Sequence, residues 1–234
     1  MQIIYAIPGL GTTKELFKNI SVPNHEIKVL DWPEPKKEYT LKEYSKQFLK
    51  QINSSKPIIL MGVSLGGMLC SELAGQTETK KIILISSCKD RSEFPFLLKA
   101  LKFLPVHKLV SDKLVRFLAG TKRRFLGFEK SFDKIFFEMI QQMPKNYFRF
   151  CISYIIGWDK TESKKDFIRI HGTADKTVPF SQSDKLDAAL TSKNIAHKLV
   201  KIHGVDHDLG MGNPVVKAAI YAETIHWILQ YGNK

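Results

Sequence analysis

One serine of the chain lies in a pattern that could make it a nucleophile. The segment Gly62-Val63-Ser64-Leu65-Gly66 has the pattern Gly-x-Ser-x-Gly and begins at the end of the apolar run Ile58–Val63. If a strand ends at Gly62 and a helix begins after Ser64, the serine lies on a tight turn with its hydroxyl exposed above the sheet. A helix N-terminus at this point favours a developing negative charge. The same residues also fit an ordinary serine N-cap after a glycine-rich turn.

Two later loops carry the groups that such a serine needs, namely a base that takes its proton and an acid that orients the base. Asp175 follows the apolar run Phe167–Ile170, and His207 follows the run Lys198–Ile202. Because ligands bind beyond the carboxyl ends of the strands in an open parallel sheet, all three groups are expected at one edge. Ser64, Asp175 and His207 therefore form a candidate catalytic triad, although Asp175 alone would also fit a turn or a helix cap.

The hydropathy pattern indicates the elements that must position these residues. Short β-branched runs alternate with amphipathic segments, which is typical of a parallel sheet covered by helices on both faces. The stretch between the fourth and fifth runs shows helical periodicity instead. We therefore predict an α/β core at residues 1–88 and 161–234 and a helical cap inserted at 89–160. The predicted strands are Gln2–Ile7, Ile27–Leu30, Ile58–Val63, Ile82–Ile85, Phe167–Ile170 and Lys198–Ile202; the predicted helices are Leu41–Ile52, Leu65–Ala74, Phe94–Leu104, His107–Ala119, Phe132–Gln142, Asn146–Ile156, Ser183–Leu190 and Val215–Gln230.

With these motifs and this order of elements, the chain resembles the serine hydrolases of the α/β-hydrolase fold, in particular the capped, carboxylesterase-like members. The resemblance implies a mostly parallel sheet of about six strands, helices on both faces, and a helical cap after the fourth strand. It implies a triad of Ser64, His207 and Asp175 and an oxyanion hole formed by the backbone N–H groups of Leu10 and Leu65. It also implies an acyl-enzyme intermediate, an ester or related acyl substrate, and no metal or organic cofactor.

Two positions depart from the pattern of that family. Pro8 stands before the first glycine of the Pro8-Gly9-Leu10-Gly11 loop, where many members have histidine. Asp206 precedes His207, where glycine is common, and its carboxylate could perturb the histidine or replace Asp175 as its partner. Because fold and triad do not fix the reaction, a cofactor-free lyase, a haloperoxidase and a non-catalytic ligand-binding member remain alternatives.

The charge of the chain is concentrated in the predicted cap. The 234 residues carry a formal net charge of +13, and the stretch from Lys89 to Lys165 holds 17 Lys/Arg against 8 Asp/Glu, or +9. Most of these basic residues are expected on a solvated face, but they could also attract an acidic acyl donor or an acidic carrier protein to the cap. We expect no nucleic acid as partner, because the basic residues are interleaved with a helical core pattern and no reading module is present.

The cap also contains the residues that could line an apolar acyl pocket. At helical spacing such residues more often pack a cap against a core. Small hydrophobic esters are therefore only a first expectation for the substrate. The candidates are Phe94, Phe96, Leu97, Leu98, Phe103, Phe136, Phe137, Met139 and Tyr147.

Composition places the chain among globular proteins, because 44% of its residues are hydrophobic and they can bury a substantial core. No apolar run reaches the roughly 18 residues of a membrane span, and we expect neither a secretory signal nor stable membrane insertion. The three cysteines, Cys70, Cys88 and Cys151, lack metal-like spacing and fit buried thiols in a reducing cytoplasm.

Overall fold

A six-stranded parallel sheet forms the centre of the molecule. The computed structural model describes residues 2–18, 20–89, 91–94, 96–103, 111–114, 116–117, 130–159, 167–192, 197–207, 220, 222–224 and 226. The strands are β1 (Gln2–Ile7), β2 (His25–Val29), β3 (Ile58–Val63), β4 (Thr79–Ile85), β5 (Phe167–Gly172) and β6 (His197–Ile202). Their order across the sheet is β2-β1-β3-β4-β5-β6, and every neighbouring pair is parallel. The predicted fold class is thus confirmed.

Both faces of the sheet are buried along the central strands, as their near-continuous apolar sequences predict, whereas the edge strands β2 and β6 are partly exposed. Successive residues of a strand point to opposite faces, so Leu60 and Leu84 belong to one buried cluster while Met61 and Ile85 belong to the other. The buried members of both clusters have at most 9% of their surface exposed. This two-sided burial holds the carboxyl ends of β3 and β5 in fixed positions relative to one another.

Helices connect the strands and cover the sheet. Thr40 caps the first helix through a reciprocal pair of hydrogen bonds with Glu43, which satisfies two backbone donors that the helix leaves open. The helix predicted over Leu41–Ile52 is α-helical only as far as Lys46 and continues as a 3₁₀ helix over Gln47–Gln51. The α-helices whose bounds lie within the described residues are α1 (Leu41–Lys46), α2 (Leu65–Ala74), α3 (Phe96–Ala100), α4 (Lys130–Gln141), α5 (Tyr147–Gly157) and α6 (Phe180–Ser192).

The described parts of the segment between β4 and β5 consist of helices joined by turns and irregular residues. It begins with a 3₁₀ helix at Arg91–Glu93 and contains α3, α4 and α5. Helix α5 packs directly on the core. The distance between ring centroids is 5.0 Å for Tyr147 and Trp32, and 5.1 Å for Tyr154 and Tyr44. This part of the segment therefore completes the core, while the cap boundaries at residues 89 and 160 remain a prediction.

Some sequence predictions fall wholly or partly outside the described residues. The helix Phe94–Leu104 is described except at residues 95 and 104 and is α-helical over Phe96–Ala100. The others are the helix His107–Ala119, of which residues 112–114 and 116–117 are described and helical, and the helix Val215–Gln230, of which residues 220, 222–224 and 226 are described and helical. Within the described ranges, none of the helices has the length and hydrophobicity needed to cross a bilayer. Cys70, Cys88 and Cys151 are all buried, and none of them forms a disulfide.

Candidate active site

Ser64 lies on a strained turn between β3 and α2. Its backbone adopts φ 51° and ψ −119°, which non-glycine residues rarely occupy and which is typical of functional sites. The amide of Ser64 donates a 2.9 Å hydrogen bond to the carbonyl of Ile85, so the turn is anchored on β4. Its side chain makes no hydrogen bond to the helix that it precedes. Ser64 is therefore not an ordinary N-cap, and its hydroxyl is available for other partners.

Glycines at two positions allow strand, turn and helix to approach this closely. A Cβ added at Gly62 would lie 2.3 Å from the backbone of Gly66, and a Cβ at Gly66 would lie 2.1 Å from the carbonyl oxygen of Ile7. Both contacts are far shorter than van der Waals separation and involve backbone atoms, which cannot move aside cheaply. The Gly-x-Ser-x-Gly pattern thus has a steric cause in this structure.

Ser64, His207 and Asp175 form a continuous chain of hydrogen bonds. The Nε2 atom of His207 lies 3.0 Å from Oγ of Ser64, and its Nδ1 atom lies 2.9 Å from Oδ2 of Asp175. Because a carboxylate only accepts, Nδ1 carries the proton of the neutral ring and Nε2 is left to accept from the serine hydroxyl. The three residues are separated by up to 143 positions in the sequence, and the fold brings them together.

Neighbouring strands bring the loops of Asp175 and His207 together. The residues Gly172 of β5 and Ile202 of β6 are paired in register, so the loops that follow them leave the sheet side by side. Ala174 donates a 3.0 Å hydrogen bond to the carbonyl of Val205, which ties one loop to the other. A Cβ at Gly172 would lie 2.2 Å from that same carbonyl oxygen. The absence of a side chain at Gly172 therefore permits this close contact between the loops.

The Asp175 carboxylate is buried and has a full set of donors. Its Oδ1 accepts 2.9 Å hydrogen bonds from the amides of Thr177 and Val178, and its Oδ2 accepts from His171 and His207. Burial opposes ionisation of Asp175, but the hydrogen bonds from the two histidines, the electrostatic interaction with His207 and the amide of Val178 together outweigh it and hold the pKa of the carboxyl well below its ordinary value. Asp175 is accordingly a carboxylate at neutral pH, as a partner of His207 must be.

Asp206, the alternative partner of His207, has a different role. Its Oδ1 accepts hydrogen bonds from the backbone amides of His207 at 2.6 Å and of Lys176 at 3.3 Å. These bonds fix the backbone of the histidine loop, whereas the ring of His207 is bonded to Asp175 and Ser64. The geometry thus favours Asp175 over Asp206 as the residue that orients the imidazole.

The loop of Pro8 to Gly11 passes directly beside Ser64. A Cβ built on Gly9 would lie 3.6 Å from Cβ of Ser64, so the backbone around Leu10 borders the serine. The carbonyl of Gly9 accepts from both the amide and the hydroxyl of Thr12, which closes the turn. Leu65 is the first residue of α2, where backbone N–H groups have no partner within the helix. Leu10 and Leu65 thus flank Ser64, and their assignment as oxyanion donors remains a prediction.

Residues from the predicted cap support this loop. The hydroxyl of Tyr147 accepts a 3.4 Å hydrogen bond from the amide of Gly11, and the sulfur of Met139 lies 3.3 Å from the amide of Thr13. Gly11 itself has φ +77°, and a Cβ there would lie 3.1 Å from the ring of Phe148. Tyr147 and Met139, two of the residues predicted as possible pocket lining, are therefore buried supports of the loop.

The other pocket candidates differ in burial, and Leu98 and Phe136 are partly buried. The side chains of Phe96 and Leu97 lie outside the described residues. Phe94 is buried against the ring of Trp158, at 5.7 Å between centroids. Phe103 and Phe137 are 81% and 46% exposed and do not line an enclosed pocket among the described residues. For Phe94, Met139 and Tyr147, packing against the core is thus the observed role.

Sequence reasoning missed a set of buried polar residues behind Asp175. His171 donates to Asp175, and its other ring nitrogen lies 2.8 Å from Oγ of Ser183. Arg169 bonds Ser183 and forms a buried ion pair with Glu93. Part of this set could have been predicted from the sequence, because Arg169 and His171 are two residues apart in an otherwise apolar strand and must share one face. Two buried polar side chains on one face require partners.

The sheet order, the strained serine and the loops around it together define the α/β-hydrolase fold, to which the structure of this chain belongs. The resemblance inferred from the motifs is confirmed at this level.

Comparisons with known proteins agree with this class. The prolyl oligopeptidase family matches residues 131–234, which include Asp175 and His207. No curated protein matches the chain. Among solved structures, a thermophilic esterase from Thermogutta terrifontis is 14% identical, with a TM-score of 0.69 over 97% of this chain and 91% of that one. An enol-lactonase from Burkholderia xenovorans LB400 is 14% identical, with a TM-score of 0.67 over 97% and 91%. A bromoperoxidase from Bacillus anthracis is 18% identical, with a TM-score of 0.64 over 98% and 92%.

Proposed function

We propose that this protein is a serine hydrolase that cleaves a carboxylic ester or a related acyl compound through Ser64, His207 and Asp175. The observation that carries the proposal is the hydrogen-bond chain from Ser64 through His207 to Asp175, with the serine on a positive-φ turn at a helix N-terminus. The esterase and the lactonase among the structural neighbours support acyl chemistry on this fold.

The reaction begins with proton transfer from Ser64 to Nε2 of His207, while the serine oxygen attacks the acyl carbonyl. The carbonyl oxygen becomes an oxyanion that accepts from the amides of Leu10 and Leu65, usually the largest electrostatic contribution to acyl transfer. Asp175 holds His207 in the productive tautomer and stabilises the imidazolium. His207 then protonates the departing alcohol or thiol. Water, deprotonated by the same histidine, hydrolyses the acyl-enzyme and restores Ser64.

Replacement of Asp175 with asparagine is expected to lower kcat by about 10³- to 10⁴-fold, because an amide no longer fixes Nδ1 of His207 as the protonated nitrogen. The matched control is Asp206→Asn, which removes a carboxylate next to the same histidine but outside the bonds of its ring. We expect this control to retain activity within about tenfold. Steady-state kinetics of both variants on one ester decide between the carboxylates: a larger loss in Asp206→Asn would assign the orienting role to Asp206.

Halogenation is an alternative to ester hydrolysis, because a bromoperoxidase is among the structural neighbours. A cofactor-free haloperoxidase would use the same triad, and so would a lyase that breaks a carbon–carbon bond. Product analysis separates these classes. One assay follows net hydrolysis of p-nitrophenyl esters, and a second follows bromination of a 1,3-diketone with bromide and hydrogen peroxide. Hydrolysis without bromination supports the proposal, whereas bromination without hydrolysis contradicts it.

A further set of substrates tests whether the protein prefers an ester or an amide leaving group. Since the prolyl oligopeptidase family matches the C-terminal part of the chain, this set includes a proline p-nitroanilide and the p-nitrophenyl ester of the same acyl group. Both substrates release a coloured product, so their kcat/KM values can be compared directly. We propose esters or thioesters as the better substrates. A higher kcat/KM on the anilide would move the assignment to a peptidase.

The basic charge of the segment from Lys89 to Lys165 leads to a proposal for the acyl part of the substrate. A net charge of +9 in this segment would attract an anionic acyl donor, or one on an acidic carrier protein. We expect kcat/KM on a dicarboxylic half-ester to fall several-fold between about 10 mM and 500 mM salt, because the screening length shrinks from about 30 Å to a few ångströms. The neutral methyl ester of the same chain length is the control and should change little. Equal salt dependence of the two esters would contradict the proposal.

A further inference from the structure

A row of buried polar side chains leads up to Asp175. It consists of Glu93, Arg169, Ser183 and His171, and none of the four is more than 4% exposed. The row connects the 3₁₀ helix Arg91–Glu93, strand β5 and helix α6. Its members make hydrogen bonds to one another and, through His171, to Asp175.

In each hydrogen bond of the row, the donor and the acceptor can be assigned from the chemistry of the two atoms. The Nε2 atom of His171 lies 3.0 Å from Oδ2 of Asp175 and 2.8 Å from the carbonyl of Val178, and both oxygens only accept. The Nε2 atom therefore carries the proton. The Nδ1 atom of the neutral ring then accepts from the hydroxyl of Ser183 at 2.8 Å. That hydroxyl in turn accepts from the guanidinium of Arg169 at 2.9 Å. The Nε atom of Arg169 has no hydrogen-bond partner among the described residues.

Glu93 fixes the far end of the row. Its carboxylate binds two nitrogens of Arg169, one of them at 3.1 Å, and also accepts from the amide of Lys89. A buried ion pair contributes little net stability compared with apolar side chains of the same volume, because both charges lose their hydration. What this pair does provide is a rigid donor that holds Ser183, and through it His171, in one orientation.

We propose that His171 is a positioning residue of the triad, which holds the carboxylate of Asp175 in the orientation that His207 requires. This inference rests on the proposed function. The same oxygen of Asp175 accepts from both histidines, at 3.0 Å from His171 and 2.9 Å from His207. Rotation of the carboxylate would break both bonds together with those to Thr177 and Val178. Ser183, Arg169 and Glu93 act one step further away, by fixing the tautomer and the position of His171.

The test compares two substitutions of His171. His171→Leu removes the donor to Asp175, and we expect kcat to fall about 10- to 100-fold, the usual cost of losing an outer partner that orients a functional group. KM should stay within about twofold, because His171 does not touch the substrate. His171→Gln places an amide N–H near the position of Nε2 and should recover most of the lost kcat. Rates are expressed per active site, titrated with a fluorophosphonate.

A buried polar residue away from the site serves as the control for stability alone. Ser45 is fully buried, and its hydroxyl bonds the carbonyl of Lys42 and accepts from Gln76. Ser45→Ala should lower the melting temperature but leave kcat per active site unchanged. If His171→Leu does not fold, Ser183→Ala replaces it, since this change removes the donor to Nδ1 of His171 and should lower kcat in the same direction.

A double-mutant cycle with Asp175→Asn shows whether His171 acts through Asp175. We expect the loss from His171→Leu to vanish in the Asp175→Asn background, because the group that His171 positions is already altered. Losses that multiply, or an unchanged kcat in both His171→Leu and Ser183→Ala, would overturn the inference while leaving the proposed function intact. If the wild type neither hydrolyses esters nor reacts with a fluorophosphonate, the proposed function fails first and this inference fails with it.

Discussion

Replacing Ser64 with alanine is expected to lower ester turnover by at least about 10⁴-fold while the protein keeps its fold. The serine oxygen forms the bond to the acyl group in the proposed reaction, so nothing else in the chain can take its place. Its hydrogen-bond partner is His207, and it makes no cap bond to α2, so the loss of one oxygen should cost little stability.

The Ser64→Ala experiment needs a fold check and a matched control. Circular dichroism and the melting temperature show whether the variant is folded. Ser55→Ala removes a hydroxyl from an exposed serine outside the site, and it should retain wild-type turnover. If purified Ser64→Ala kept more than about a tenth of the wild-type rate, Ser64 would not be the nucleophile and the proposed reaction would be wrong.

The second large effect is expected from Gly66→Ala, on stability as well as activity. A Cβ at this position would lie 2.1 Å from the carbonyl oxygen of Ile7 and 2.5 Å from that of Pro8. Both oxygens belong to the backbone of β1 and the loop that borders Ser64, so α2 must move away from the sheet. We expect the free energy of unfolding to fall by about 3 kcal/mol or more, at the upper end of the range for overpacking.

Thermal unfolding tests this prediction, with Gly157→Ala as the control. For a chain of this size, about 3 kcal/mol corresponds to a decrease in Tm of about 6–12 °C. Gly157 is the last residue of α5, and no atom lies within 4 Å of a Cβ added there. Its replacement should therefore change the free energy of unfolding by less than about 0.5 kcal/mol. Equal melting temperatures for the two variants would contradict the close packing of Gly66 against β1.

The strands of the core could be predicted from the sequence because their apolar runs are bounded by clear breaks. Ile58–Val63 agrees with β3 residue for residue. Strand β5 extends past the predicted end at Ile170 to Gly172. Its extra residues, His171 and Gly172, lack the apolar character that marks a buried strand. They are accommodated by tertiary contacts, the hydrogen bonds of His171 and the close contact between Gly172 and Val205.

The candidate triad could be predicted because each member follows a predicted strand, and parallel strands align their carboxyl ends. The choice between Asp175 and Asp206 could not be made in this way, since both lie on loops at the same edge of the sheet. The geometry favours Asp175 because its carboxylate faces the ring of His207, whereas that of Asp206 binds backbone amides.

The buried row behind Asp175 could not be assembled from the sequence. Glu93 and Arg169 are 76 positions apart, and nothing in their local sequence indicates that they meet. Glu93 also lies in the segment predicted as a cap, yet it bonds a residue of the central sheet. The proposed positioning of Asp175 therefore depends on contacts that span the boundary predicted at residue 89.

The most direct test of the central claim is to treat the wild-type protein with a fluorophosphonate and to map the modified residue by mass spectrometry. The reagent reacts with a serine only when a base activates it and oxyanion donors stabilise the adduct, so labelling reports the assembled site rather than one residue. We expect one adduct, on Ser64, that is absent from the His207→Ala variant. Ester hydrolysis by a protein without an adduct on Ser64, or labelling at another residue, would contradict it.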